Sequence, residues 1–327
     1  MNSSAALELA MAQGRQAALK ALLQYGLEWE EIRFGALSET CTFVVTSRNE
    51  GTCLLRIHVG IDRKAVDAEL ACLELWGKEL DVPIPQGIAA RSGERAVSME
   101  LGDGYQCSAS LMRWVEGGPA AGKLTQEQIF REGVLLARLH RASQEAGLAG
   151  HPDRPVWGER SFREAFDRLT AYHDRFLTGT EFELYQAAAE RILSWIGKLE
   201  KRWDTYGFVH GDLHQGNIVF LEGEPRAIDF GRCGSGFFLY DIAHTILGLH
   251  PVQRELVLRG YESLRPLEEH WLPALEHFTV MVMIENYSHH APDPREAGGL
   301  RAEQPYAQAI LKHFLSGSPF LFHALDL

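Results

Sequence analysis

The sequence is poor in several features that would fix its class at once. No apolar run approaches the roughly 18 residues that a membrane-crossing helix needs. The first twenty residues lack the basic start and the cleavage site of a secretory leader, so the expected location is the cytoplasm. Cysteines number five (Cys41, Cys53, Cys72, Cys107 and Cys233). They are scattered, odd in number and form no CxxC pair, which argues against a zinc ribbon or a redox motif and leaves them as small buried apolar groups. There is no GxxxxGK[ST] stretch, which excludes a P-loop ATPase, and no HExxH. Repeats and low-complexity tracts are absent. Positive charge is in deficit, 32 Lys and Arg against 44 Asp and Glu for a net charge of −12. A surface of that sign repels phosphate backbones, so nucleic acid is not an expected partner.

What remains is an ordinary globular composition, 46% hydrophobic and 23% charged over 327 residues. That is enough chain for two lobes with a sizeable core. The first third reads as a sheet with one helix. Ile32–Ser47 and Cys53–Val59 are β-rich and flank the turn signal Arg48-Asn49-Glu50-Gly51-Thr52. Arg63–Leu80 has helical periodicity through Val66, Leu70, Leu73 and Trp76, and Pro83 and Pro85 stop it. A second hairpin joins Arg95–Leu101 to Tyr105–Val115 across Gly102-Asp103-Gly104. Glu116-Gly117-Gly118-Pro119 is the clearest hinge and predicts lobes at 1–115 and 116–327. Beyond it Thr125 and Gln128 form a capping box, with Leu124 and Ile129 as its staple, opening a helix to about Ala146. Amphipathic stretches follow at Phe162–Phe176, at Glu181–Arg202 and over most of the chain from Ile242. A β-like island, Phe208–Phe230, interrupts them.

That island carries the chemistry. It reads His210-Gly211-Asp212-Leu213-His214-Gln215-Gly216-Asn217, then Ile228-Asp229-Phe230-Gly231. Phosphoryl transfer to a hydroxyl needs one carboxylate to orient and deprotonate the acceptor, and oxygen ligands that hold Mg²⁺ against nucleotide phosphates. Asp212 and Asn217, five apart on a glycine-containing loop, can point into one space. Two short strands at Val219-Phe220 and Ala227-Ile228 would bring Asp229 back beside Asn217. The bland alternative for each residue is turn formation, which Asp and Asn perform often. Three of them at these spacings in one strand–loop–strand island favour the functional reading.

The loop, the Asp-Phe-Gly and the order of the lobes resemble the aminoglycoside phosphotransferase-like kinases, relatives of choline and homoserine kinases. Leu136-Ala137-Arg138-Leu139-His140 and Tyr240-Asp241-Ile242-Ala243 are similar to that family's segments after the hinge and after the metal-binding Asp. The resemblance implies a bilobal protein-kinase-like α+β fold, with a small antiparallel sheet and one helix before a larger helical lobe. It implies Asp212 as catalytic base, Asn217 and Asp229 as Mg²⁺ ligands, and ATP as phosphoryl donor. Arg56, in Leu54-Leu55-Arg56-Ile57-His58, stands where a protein kinase presents Lys and could reach phosphate oxygens, with Glu69 as its ion-pair partner. No glycine-rich loop is present. Gly35–Cys41 takes its place, with Ser38 and backbone N–H groups over the phosphates. Adenine is expected between the lobes, against backbone near Met112 and Trp114.

His210 and His214 flank Asp212 at a spacing that invites a metal-hydrolase reading, but Gly211 and Gly216 oppose the helix such a site needs. His210 is instead expected beneath the loop, and Asp241 is expected to hold the loop by hydrogen bonds. The acceptor is a small molecule carrying a hydroxyl. Glu268, Glu269, Glu285 and Asp293 could hold an amine on it, although acidic residues on helices are mostly solvated. Two other readings compete: a protein Ser/Thr kinase, against which the chain shows no Ala-Pro-Glu element and only a short Gly231–Tyr240 segment, and a non-catalytic nucleotide-binding module. Oligomeric state is not legible.

Overall fold

The computed structural model describes residues 3–37, 40–120 and 122–325. The chain divides into two compact units, Met1–Glu116 with His151–Arg154, and Gly117–Gly150 with Pro155–Leu327. The four residues His151–Arg154 depart from the division expected at the hinge. They join the first unit because the Arg154 guanidinium donates to the Ala65 carbonyl at 3.0 Å.

In the first unit, strands β1 (Trp29–Leu37), β2 (Thr40–Ser47), β3 (Gly51–His58), β4 (Gly87–Ile88), β5 (Ala96–Leu101) and β6 (Tyr105–Arg113) form one antiparallel sheet. The order is β1-β2-β3-β6-β4, with β5 also paired to β6. The β-rich stretch from Ile32 to Ser47 is thus two strands of a hairpin. Their connection includes Ser38, which lies outside the described residues. β2 alternates strictly, with Cys41, Phe43 and Val45 buried in the core. The edge strand β1 is mostly exposed and carries Glu30, Glu31 and Arg33, charges that discourage pairing with another chain.

Among the described residues two helices, rather than the expected one, belong to this unit: α1 (Ser3–Leu22) and α2 (Arg63–Glu79). α1 has no strong apolar stripe. It packs by small residues, Ala17, Ala18 and Ala21, all fully buried against the sheet. In α2 the apolar periodicity holds: Asp62 caps the Lys64 N–H, and Val66, Leu70, Leu73 and Trp76 are buried. All five cysteines are free and buried.

The second unit is mainly helical. Thr125 and Gln128 form the expected capping box at the start of α3 (Gln126–Glu145). α4 (Glu159–Tyr172) and α5 (Gly179–Ile196) follow, the latter ending six residues before the expected Arg202. β7 (Tyr206–Val209), β8 (Ile218–Leu221), β9 (Glu224–Ala227) and β10 (Gly234–Phe237) make two hairpin-like pairs, β7 with β10 and β8 with β9. β10 is glycine-rich and gives no strand signal in sequence. Its Gly234 lies so close to the Pro155 carbonyl that a side chain there would collide with it. The remaining helices are α6 (Phe238–Ile246), α7 (Pro251–Glu262), α8 (Trp271–His290), α9 (Ala297–Ala302) and α10 (Gln304–Ser316). α8 is apolar on all sides from Val280 to Ile284 and buried there, as a helix with no polar face must be. Among the described residues no helix is long and apolar enough to cross a membrane.

α3 and α7 cross through reciprocal glycines. A methyl group on Gly133 would overlap the Val257 carbonyl, and one on Gly260 the Phe130 carbonyl. Helix propensity alone favours Ala over Gly by about 1 kcal/mol. Backbone carbonyls cannot rotate away as side chains do, so overpacking, which costs roughly 1–3 kcal/mol or more, outweighs that gain. Gly133→Ala should therefore lower the thermal midpoint, measured by calorimetry, whereas Gly298→Ala in α9, where nothing crowds the added carbon and the backbone is helical, should shift it much less.

Candidate active site

The loop after β7 is held by a carboxylate beneath it. Asp241, in the first turn of α6, is fully buried and accepts the backbone N–H of His210 at 2.8 Å and of Gly211 at 2.7 Å. His140 of α3 adds an Nε2 contact at 3.1 Å, and its Nδ1 lies 2.9 Å from the Tyr261 hydroxyl. Burial opposes ionisation of Asp241, but these donors win and its pKa lies below the ordinary carboxylate value. Burial keeps His140 neutral, which matches a ring that donates through Nε2 and accepts from the Tyr261 O–H. Gly211 has φ 79°, a region that a side chain would strain. A Cβ there would also collide with the Arg232 carbonyl. His210 lies under the loop as expected, its Nε2 3.0 Å from the Ile228 carbonyl and its ring 4.4 Å from that of Phe230.

Asp212 projects from this anchored turn. Its carbonyl accepts from the His214 N–H and from Asn217 Nδ2, both at 2.9 Å. The Asn217 amide nitrogen is thereby committed, which leaves the amide oxygen as the coordinating end. The β8–β9 hairpin then returns the chain, and the Ile228 N–H donates to the Asn217 carbonyl at 3.0 Å. The next residue, Asp229, adopts the left-handed conformation (φ 62°, ψ 67°). Asp212, Asn217 and Asp229 are therefore gathered in one strand–loop–hairpin of the second unit. Burial raises the pKa of Asp212, opposed by Arg232, His214 and His210, and the charge of Asp229 adds to the rise. Two carboxylates that repel each other beside an amide oxygen form a hard-oxygen donor set that fits Mg²⁺, an ion usually held by one or two carboxylates and by phosphates. No group of three or more His, Cys, Asp or Glu side chains gathers among the described residues as a dedicated protein cage would. His214 Nδ1 accepts from the Gly216 N–H and His210 Nε2 lies 3.0 Å from the Ile228 carbonyl, which commits one nitrogen of each ring to the loop.

Two neighbours of Asp212, His244 and Arg232, were not among the residues expected from sequence. His244 of α6 is buried, and its Nδ1 lies 3.6 Å from Asp212 Oδ1. Burial pushes its pKa down to about 3, so it is neutral. The Arg232 guanidinium stacks 4.6 Å over the Trp157 ring, and the Trp157 indole N–H donates to the Arg232 carbonyl at 2.9 Å. Arg232 is the one basic residue between Asp229 and Asp241, a signal that could have found it. Of the four acidic acceptor candidates, Glu285 alone enters this neighbourhood. It is buried in α8, accepts from the Tyr240 hydroxyl at 2.7 Å, and burial raises its pKa to about 7. The other three are corrected: Glu268 pairs with Arg202, Glu269 with His270 and Asp293 with Arg295.

In the first unit, Arg56 and Glu69 pair at 2.7 Å with side chains only 7% and 5% exposed. Arg56 Nε also approaches the Ser110 hydroxyl at 3.4 Å, and His58 Nε2 lies 2.9 Å from the same oxygen. Met112 sits between β3 and β4 in the sheet, opposite Leu54 and Gly87. The Trp114 N–H donates to the Thr52 carbonyl at 3.1 Å and is therefore not available to read a base edge.

A model of the phosphotransferase enzyme family matches residues 28–273. An uncharacterised protein of Synechocystis is 28% identical over 205 residues, covering 60% of this chain and 55% of its own length, so the match spans little more than half of that relative. Amicoumacin kinase of Bacillus subtilis is 23% identical over 287 residues, 80% of each chain. Among solved structures, a microcompartment-associated aminopropanol kinase superposes with a TM-score of 0.78 at 21% identity, covering 94% of this chain and 99% of its own. An amicoumacin kinase in complex with AMP-PNP, Ca²⁺ and Ami gives 0.76 at 19% identity, covering 94% and 96%. These likenesses establish the kinase-like fold.

The Asp241 anchor has a measurable worth. In Asp241→Asn one of the two backbone donors would face an NH₂ group in place of an oxygen. We expect a loss of about 2–4 kcal/mol in urea unfolding at neutral pH. Because the folded pKa of Asp241 is depressed, its contribution is complete above the ordinary value near about 4 and fades as pH falls through the folded pKa. The gap between wild type and variant should narrow in that acid range.

Proposed function

The chain belongs to the phosphotransferase enzyme family, a small-molecule kinase family, and from that premise we propose that it moves the γ-phosphoryl group of ATP, with Mg²⁺, to a hydroxyl of a small molecule. The observation that carries this reading is the gathering of Asp212, Asn217 and Asp229 in one strand–loop–hairpin. Asp212 accepts the acceptor's proton as its oxygen attacks. Neutral His244 beside it adds no competing charge, and the Arg232 guanidinium opposes the rise in pKa that burial imposes on the carboxylate. Asn217 and Asp229 hold the metal, which when bound neutralises charge developing on the phosphoryl oxygens. In the first unit, the Arg56 guanidinium, fixed by Glu69, serves the nucleotide phosphates. Met112 remains a candidate for the adenine face, and Trp114 contributes through its neighbours rather than its N–H. For the acceptor we propose a hydroxylated amine, its nitrogen turned toward Glu285 and Tyr240. A panel of such amines assayed by ADP release identifies it.

General-base catalysis contributes typically ~10²–10⁴-fold. Asp212→Ala should therefore cut kcat by about that factor while nucleotide affinity, measured by calorimetry, changes little. Unchanged turnover would sink the assignment. Because the base must be ionised and burial raises its pKa, the acid limb of kcat/KM should fall above the ordinary carboxylate range near about 4.

A further inference from the structure

A cavity of about 370 Å³ opens in the second unit at the end of β7 opposite the catalytic loop. Thr205 lines it, and the four residues of β7, about 13 Å of extended chain, separate it from His210. Its lining is mostly apolar, with Phe237, Phe238 and Phe278 among the wall residues. The volume lies in the range of sites that bury small organic molecules.

The charges at its rim are unequal in use. Arg202 is neutralised by carboxylates: it bonds both Asp204 carboxylate oxygens, at 3.1 and 3.0 Å, and Glu268 at 2.8 Å. Arg265 is not. It stacks 4.3 Å over the Phe238 ring and donates to two neutral acceptors, Gln144 Oε1 at 2.5 Å and the Asp204 carbonyl at 2.9 Å. Among the described residues no carboxylate lies in hydrogen-bond range of it. A guanidinium has five N–H donors, and donors remain for an anion.

The wall also touches the loop anchor. The Phe238 ring lies 4.5 Å from that of His140, and Tyr261, another lining residue, shares a hydrogen bond with His140. His140 in turn meets Asp241, which holds the His210 and Gly211 amides.

We propose that this cavity is a binding site for a small aromatic carboxylate, the ring among the phenylalanines and the carboxylate on Arg265, and that occupancy steadies the catalytic loop through Phe238, Tyr261, His140 and Asp241. A ligand that packs on Phe238 and Tyr261 as they stand favours the arrangement in which His140 supports Asp241, which is the differential contact such coupling requires.

The test reads binding and loop dynamics, not phosphoryl transfer, so its failure is distinct from failure of the kinase reading. Naphthalene-2-carboxylate is titrated calorimetrically into the full chain. Its neutral carboxamide, Arg265→Gln and the cavity-filling Ala274→Trp serve as comparisons, and Leu267→Trp takes the place of Ala274→Trp if the latter does not fold. The expected result is saturable one-to-one binding, weakened about tenfold or more for the carboxamide and in Arg265→Gln and lost in the filled variant. Amide exchange at His210 and Gly211 should slow on occupancy. Absence of saturable binding, or binding that survives filling, overturns the site. Equal affinity for the carboxamide overturns the role of Arg265, and binding without slower exchange at those two amides overturns the coupling.

Discussion

A single buried carboxylate sets the geometry of the second unit. Asp241 has no water to solvate it, and an unpaired charge at that depth costs several kcal/mol. It stays ionised because two backbone amides and an imidazole converge on it, each a charge-assisted bond of about 1.5–3 kcal/mol. The same bonds that satisfy Asp241 leave the His210–Gly211 backbone little freedom. Asp212 leaves the turn at one angle for that reason. Removing the anion would strand three donors, so the site and the local stability of α3, α6 and β7 rise and fall together.

The second constraint is the return of the chain. The β8–β9 hairpin is short enough that Ile228 bonds back to Asn217, and the left-handed Asp229 then turns beside it. A non-glycine residue in that conformation stores strain. Here the strain sits on a carboxylate that another carboxylate, Asp212, already feels. A cation held between the two carboxylates, as proposed, would offset their repulsion.

The sequence made much of this legible. Asp212, Asn217 and Asp229 stand at fixed separations within one segment, so short-range geometry alone brings them together. Arg56 and Glu69 pair because an alternating strand and an amphipathic helix leave each only one side to face. The capping box at Thr125 and Gln128 is likewise a local device. What the sequence concealed is non-local or carried by small residues. α1 packs with alanines, which leave no apolar stripe to read. β10 is a strand because β7 pairs with it, not because glycine and serine favour extension. His244 lies in a helix rich in apolar neighbours, and nothing local separates Glu285 from the other three acidic candidates. Only the packing of α6 against α8 makes a buried acid of Glu285 while Glu268, Glu269 and Asp293 remain surface ion pairs.

The account rests on Asn217 and Asp229 presenting oxygens to one divalent cation. Electron paramagnetic resonance of Mn²⁺ added with a non-hydrolysable ATP analogue reads that directly. A bound-ion spectrum with the wild-type protein, lost in both Asn217→Ala and Asp229→Asn while the folded state is retained, is the predicted result. A spectrum that persists unchanged in both variants would contradict it.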